Sequence, residues 1–278
     1  MLSNLARFGL GLGLFLAMPL LPAAQATESL LDYNVDLAST YVYRGDDVFA
    51  NAHTDKAQKA FSVYPALQPT LVLRGQGGFS ATLWGSFALT DRKENKETGF
   101  AGLSQTDELD YLLAYDWKNR LGGFKAGLNY YSYPGAAIAG SREVVLAWSM
   151  PFLESIAPTL TRYEDINTPF TYTTLGFGGG ESFTWGLLFG WSRKVDTTGA
   201  HSHSGLHEVS ANVGYKLDSG LKFSFAAVNR PDLTLHGHDR QGNYTYTDTT
   251  GTHDAKAPST LYWLTMSYGG TVDDGAAK

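Results

Sequence analysis

Twelve stretches of this chain alternate between apolar and polar residues with a period of two, each seven to twelve residues long. They are 34–44, 66–74, 78–89, 108–117, 124–133, 142–150, 157–164, 171–177, 183–191, 207–216, 221–228 and 260–268. Successive side chains of an extended strand point to opposite faces, so this period predicts strands and excludes helices. Phe79, Ala81, Leu83, Gly85, Phe87 and Leu89 share one face of the third stretch; Ser80, Thr82, Trp84, Ser86 and Ala88 share the other. Val209, Ala211, Val213 and Tyr215 face away from Glu208, Ser210, Asn212, Gly214 and Lys216 in the tenth. The chain reads as all-β.

Which side of such strands meets solvent decides the architecture. Charged residues fall mostly opposite the Leu, Val and Phe positions, and they make up only 17% of the chain, against roughly 25% in soluble domains. A soluble sandwich would carry charge on its outer face. A polar inside with an apolar outside is the pattern of a transmembrane, antiparallel, up-and-down β-barrel of about 12 strands, whose runs of about 9–11 residues cross a bilayer when tilted. The connections agree: 75–77, 118–123, 151–156, 178–182 and 217–220 are short, whereas 45–65, 90–107, 192–206 and 229–259 are long. Short periplasmic turns and long external loops are expected of such barrels, though 134–141 and 165–170 are also short. Tyr41, Tyr43, Trp117, Phe124, Trp191, Tyr215, Tyr262 and Tyr268 stand at stretch ends, as an interfacial girdle requires. In the seventh stretch Leu160 and Arg162 share a face, which leaves its register open.

The N-terminus sets the compartment. Arg7 is the single charge before a 14-residue apolar run, Phe8 to Leu21, followed by Ala24-Gln25-Ala26. That is the layout of a cleaved secretory signal peptide over 1–26, with the barrel in 27–278. No later run reaches 18 apolar residues, so no membrane helix is expected. The absence of cysteine excludes disulfide and thiol chemistry. A formal charge of −6 argues against a nucleic-acid partner.

At the first strand the chain reads Ser39-Thr40-Tyr41-Val42-Tyr43-Arg44-Gly45, and at the second Pro65-Ala66-Leu67-Gln68. Glu108-Leu109-Asp110, Tyr130-Tyr131-Ser132-Tyr133-Pro134 and Glu143 follow. This order resembles the TorF-type porin family of Gram-negative outer membranes over roughly residues 33–165. The resemblance implies a porin-like outer-membrane protein without a particular solute. The sequence departs from the family motif at Tyr43 and at Thr40, where the family carries an inward acid.

Seven histidines could carry chemistry: His53, His201, His203, His207, His236, His238 and His253. Only His207 falls in a predicted strand, at its start, so no Ser–His pair is held in register and no enzyme activity is expected. Gly178-Gly179-Gly180 is a turn, since no phosphate-loop Lys follows it. Six of the histidines cluster in two long loops, where imidazoles and carboxylates suit zinc or copper. His201, His203 and His238 are the speculative ligands, the alternative being hydrated loop residues, and no cofactor is expected. The lumen is the expected functional surface, lined by Arg44, Arg74, Glu108, Asp110, Asp116, Lys125, Glu143, Glu208 and Lys216. With the N-terminus periplasmic, Glu108, Asp110, Glu143 and Glu208 gather at the outer mouth with Arg44 held in their midst as their partner, and Arg74, Lys125, Lys216 and Lys222, with Asp36 and Asp116, at the periplasmic mouth. The expected function is passive diffusion of small polar solutes or ions. The alternative is a non-conducting barrel whose external loops bind a ligand or metal. Outer-membrane lipid and the barrel-assembly machinery are the expected partners.

Overall fold

The computed structural model describes residues 30–52, 57–90, 103–136, 139–151, 155–195 and 202–273. The signal-peptide region 1–26 and most of 90–107 lie outside the described residues. Twelve strands close into one antiparallel barrel. They are β1 (Leu30–Ala38), β4 (Ala66–Arg74), β5 (Phe79–Ala88), β6 (Glu108–Asn119), β7 (Gly122–Ser132), β8 (Ser141–Ser149), β9 (Thr159–Asp165), β10 (Phe170–Gly179), β11 (Phe183–Val195), β12 (Ser202–Lys216), β13 (Lys222–Asn229) and β16 (Thr260–Asp273). Each hairpin neighbour pairs with the next, and β1 closes the ring on β16 from Leu30↔Asp273 to Ala38↔Thr265. Closure removes the free edges that an open sheet would expose. Among the described residues no helix is long and apolar enough to cross a membrane.

The outward face is an apolar belt. Leu31, Leu71, Leu83, Leu113, Leu128 and Leu264 are all exposed on it. A row of rings follows the short-turn end: Phe79 on Tyr115, Tyr115 on Trp117, Trp117 on Phe124 and Phe124 on Trp148, with centroids 5.0, 5.8, 5.4 and 6.3 Å apart. Tyr111–Tyr130, Phe189–Trp191 and Phe225–Tyr262 pair on other strands. In β9 the outward residues are Leu160, Arg162 and Glu164, and the last two lie 3.5 Å apart as an exposed ion pair. That settles the register left open by the sequence.

Three expectations are corrected. The first strand does not run to residue 44: it ends at Ala38, and the chain turns into the barrel. There it forms the two-residue strands β2 (Val42–Tyr43) and β3 (Asp46–Asp47) and the single-turn helix α1 (Val48–Ala52). Tyr41 and Tyr43 are therefore interior residues, not girdle residues. The chain leaves the sheet in a bend at Ser39, whose N–H donates to the Leu264 carbonyl of the last strand at 2.8 Å, and Arg44 at φ 48° with Gly45 at φ 78° then makes the turn between β2 and β3. Second, the described parts of 192–206, residues 192–195 and 202–206, are strand. The ladder from Ser192↔Gly205 to Val195↔Ser202 continues after the apolar pattern has stopped, because backbone pairing does not require apolar side chains. Third, the long connection 229–259 carries structure of its own: a 3-10 turn at Leu233–His236 and a hairpin of β14 (Asn243–Asp248) and β15 (Gly251–Lys256).

Candidate functional site

Segment 39–52 crosses the barrel interior near the long-loop end, and its packing explains its position. Tyr41 and Phe49 bury their rings against Ala66 and Ala88, with Trp84 beside them. The Tyr41–Trp84 centroids are 5.4 Å apart. Asp47 caps α1 by accepting from Ala50 N–H at 2.9 Å, the role an N-cap carboxylate performs. It also accepts from the Thr40 hydroxyl at 2.8 Å. Burial raises the Asp47 pKa, and these donors oppose it. Thr40, which stands where the related family has an acid, is thus a donor to the cap.

Arg44 is the centre of the segment. Its guanidinium makes a two-pronged pair with Glu143, Nη1 to Oε1 at 2.8 Å and Nη2 to Oε2 at 2.6 Å. The rings of Tyr43, Tyr163, Phe170 and Tyr172 surround it, with Cζ 4.7 to 5.4 Å from their centroids. A planar, weakly hydrated guanidinium suits such a cage better than an ammonium would. Burial works against its charge, but the Glu143 carboxylate paired with it outweighs burial and raises its pKa. Tyr131 donates to Glu143 at 2.6 Å and Tyr43 meets Tyr131 at 3.0 Å, so the clamp spans segment 39–52, β7 and β8. Tyr172 donates to Glu208, and Tyr41 donates to Glu108 at 3.0 Å.

The other residues expected to line the lumen all sit on inward positions, at two levels. Glu108, Asp110, Glu143 and Glu208 surround segment 39–52. Glu108, Glu143 and Glu208 are buried, at 3%, 3% and 7% exposure. Arg74, Asp116, Lys125 and Lys216 stand at the short-turn end. Arg74 pairs with Asp32 at 2.7 Å, and Lys125 lies 3.5 Å from Asp116. Lys216 is directly opposite Lys222 in the ladder. One placement differs from expectation: Asp36 is two residues from the loop end of β1, and Asp32 takes its place near the turn end.

Two spaces flank the segment. A cavity of about 900 Å³ runs from Lys118, Lys125 and Ser149 up to Tyr43, Arg44, Tyr172 and Glu208. A second of about 250 Å³ lies toward Gln68 and Trp263. Val42, Tyr43, Trp84 and Asp110 border both.

The histidines fall differently from the expectation. His203 stands opposite Lys194 in the β11–β12 hairpin, and His238 packs on the Tyr244 ring. His201 lies outside the described residues. His207 and His236 are the pair brought together, with Asp46, and their ligand atoms all lie within 4.8 Å. His207 is the extra residue of a β-bulge, since Gly190 pairs with Glu208 and Trp191 with Leu206. A bulge re-aims a side chain; strict alternation would turn His207 outward, but it is buried at 5% exposure, as is its neighbour Glu208. The histidine-rich composition of both loops was the only sequence signal for this cluster.

No protein-family model and no curated protein sequence matches the chain. Solved structures similar to it include a "KdgM porin", at 11% identity and TM-score 0.46, covering 86% of this chain and 98% of that one. An outer membrane channel from Pseudomonas putida F1 matches at 9% identity and TM-score 0.41, covering 92% and 100%. The outer membrane protease OmpT from Escherichia coli matches at 13% identity and TM-score 0.24, covering 87% and 93%.

Proposed function

We propose that the chain is a porin-like channel of the Gram-negative outer membrane, with segment 39–52 as its constriction, passing small polar solutes or ions by diffusion. The observation that carries this is that space lies on both sides of the segment, with Asp110 and Trp84 on the wall of both cavities. Twelve strands enclose more than the packed interior of an eight-stranded barrel and less than the open channel of 16–18 strands. A constriction beside Asp110 therefore selects for small solutes. The apolar belt and its rings suit outer-membrane lipid, and insertion by the barrel-assembly machinery after removal of residues 1–26 follows from that location. The motif resemblance to TorF-type porins points the same way, and no catalytic step is assigned. The test is conductance in a planar bilayer: discrete steps of small amplitude are expected from the full chain, and larger ones after deletion of residues 40–50.

The dense Arg44–Glu143 clamp favours a second reading, a closed barrel with a ligand-binding role at its loop end. A silent wild type that conducts only after the deletion would select that reading.

A further inference from the structure

Asp46, His207 and His236 come from three separate parts of the fold: segment 39–52, the β12 bulge, and the 3-10 turn in the connection after β13. We propose that they form a binding site for one divalent transition-metal ion of the zinc and copper class, fastening that connection to segment 39–52. The proposal is independent of whether the lumen conducts.

The geometry is close to what such an ion needs. The imidazole centroids are 4.1 Å apart. His236 Nδ1 is 3.0 Å from Asp46 Oδ1. Donor atoms around a tetrahedral ion with bonds of about 2.0–2.1 Å stand roughly 3.3 Å apart, so small side-chain rotations complete the set. Two imidazoles and one carboxylate are borderline ligands, which suit zinc or copper and not calcium or magnesium, whose shells are oxygen.

Each ring also has its second nitrogen held. His236 Nε2 donates to the His207 carbonyl at 2.9 Å. His207 Nδ1 meets the Ser192 hydroxyl at 2.8 Å, leaving Nε2 beside the Arg44 carbonyl, 2.9 Å away and two residues before Asp46. Fixed partners on the far nitrogen orient metal-binding imidazoles and raise their basicity. His236 Nδ1 faces the Asp46 carboxylate, and a metal ion bound there takes the place of any proton on it, which passes to solvent. At His207 the proton moves to Nδ1 and is donated to Ser192.

The local backbone is built for this approach. A Cβ on Gly45 would meet His236 Cε1 at 3.0 Å, and its φ of 78° suits glycine. His236 is 0% exposed and Asp46 28%, so the Asp46 side is the entry path and the place for a water as fourth ligand. The Arg230 guanidinium, 3.4 Å from Asp46 Oδ1, opposes the ion's charge and holds affinity below that of a purely anionic site.

The test uses the full chain, folded in detergent, titrated with zinc against a chromophoric chelator. One zinc per barrel is expected. His236→Ala and Asp46→Asn should each weaken binding at least about tenfold, the scale of losing one ligand or its support. His203→Ala and His238→Ala should bind as wild type. Heat-modifiable gel mobility reports whether each variant has a closed barrel. Copper(II) should show two coordinated imidazole nitrogens by electron paramagnetic resonance, and one in His207→Gln. The proposal is overturned by a closed wild-type barrel that takes up no stoichiometric zinc, or by His236→Ala and Asp46→Asn barrels that bind it unchanged.

Discussion

Arg44 and Glu143 are ninety-nine residues apart in sequence and meet through two parallel hydrogen bonds of 2.8 and 2.6 Å inside the barrel. One belongs to the segment that crosses the lumen, the other to its wall. The pair is the main polar attachment between them. Removing one member of a buried pair leaves the other charge without compensation, at about 3–5 kcal/mol. Glu143→Ala should therefore release segment 39–52. We expect larger conductance steps in a planar bilayer and a lower temperature for the heat-modifiable gel transition. Conductance and transition identical to wild type would mean that the rings around Arg44 hold the segment unaided.

Charge along the axis is unequal. Asp110 borders the spaces on both sides of the constriction, while Lys118, Lys216 and Lys222 stand at the short-turn end, with no ion pair among the described residues. Glu143 is committed to Arg44, and Glu108 to Tyr41 and Asp110, so the lysines are the charges that meet a passing ion. Under a KCl gradient, Lys216→Gln with Lys222→Gln should shift the reversal potential toward cation preference. The shift should shrink as salt rises, since the Debye length is about 10 Å at 0.1 M.

A Cβ at Gly190 would meet the Tyr172 hydroxyl at 2.3 Å and Glu208 Cγ at 3.0 Å. Gly190→Ala must move the Tyr172 ring, which is one wall of the Arg44 cage. Overpacking of this kind costs about 1–3 kcal/mol. The expected result is a lower urea midpoint for unfolding from detergent, with Gly176→Ala, whose Cβ would have its nearest neighbour at 3.9 Å, as the comparison.

The β14–β15 hairpin has a pH response of its own. Asp248 accepts from the Thr250 hydroxyl, then the Thr250 N–H, and lies 3.0 Å from His253. These contacts lower its pKa from the ordinary 3.8 to about 2. A depressed folded-state value gives stability that is complete above the unfolded pKa and lost as pH falls through the folded one. Protection of the Thr250 amide from hydrogen exchange should therefore hold at pH 5 and decline between about pH 4 and pH 2. Asp248→Asn should remove that dependence.

The barrel was legible because burial on one face imposes a period that survives in the sequence. Phe79 to Phe87 and Val209 to Tyr215 need no partner to reveal their faces, and the count of twelve followed from them. The interior segment was not legible for the same reason. Tyr41 and Tyr43 continue the alternation of the strand before them, and it is the bend at Ser39 that takes the chain out of the sheet. His207 was hidden by a bulge, which shifts the period by one without changing composition. Inward acids and bases were recognised individually from their faces. That Arg44 would be held among the outer-mouth acids was legible from strand direction; which acid it takes was not, because Arg44 and Glu143 are joined by the closure of the barrel and not by any local spacing.

The bend at Ser39 joins the interior segment to the seam of the ring. Its amide and hydroxyl bind the backbone of Leu264 in the final strand, at 2.8 and 3.0 Å, and β1, which leads into the bend, closes the barrel on that same strand. The wall partners of segment 39–52, from Glu108 to Glu208, belong to strands between the two. The contact that seals the ring at β1 and β16 therefore also completes the anchor of the segment, so a change that loosens the seam loosens both.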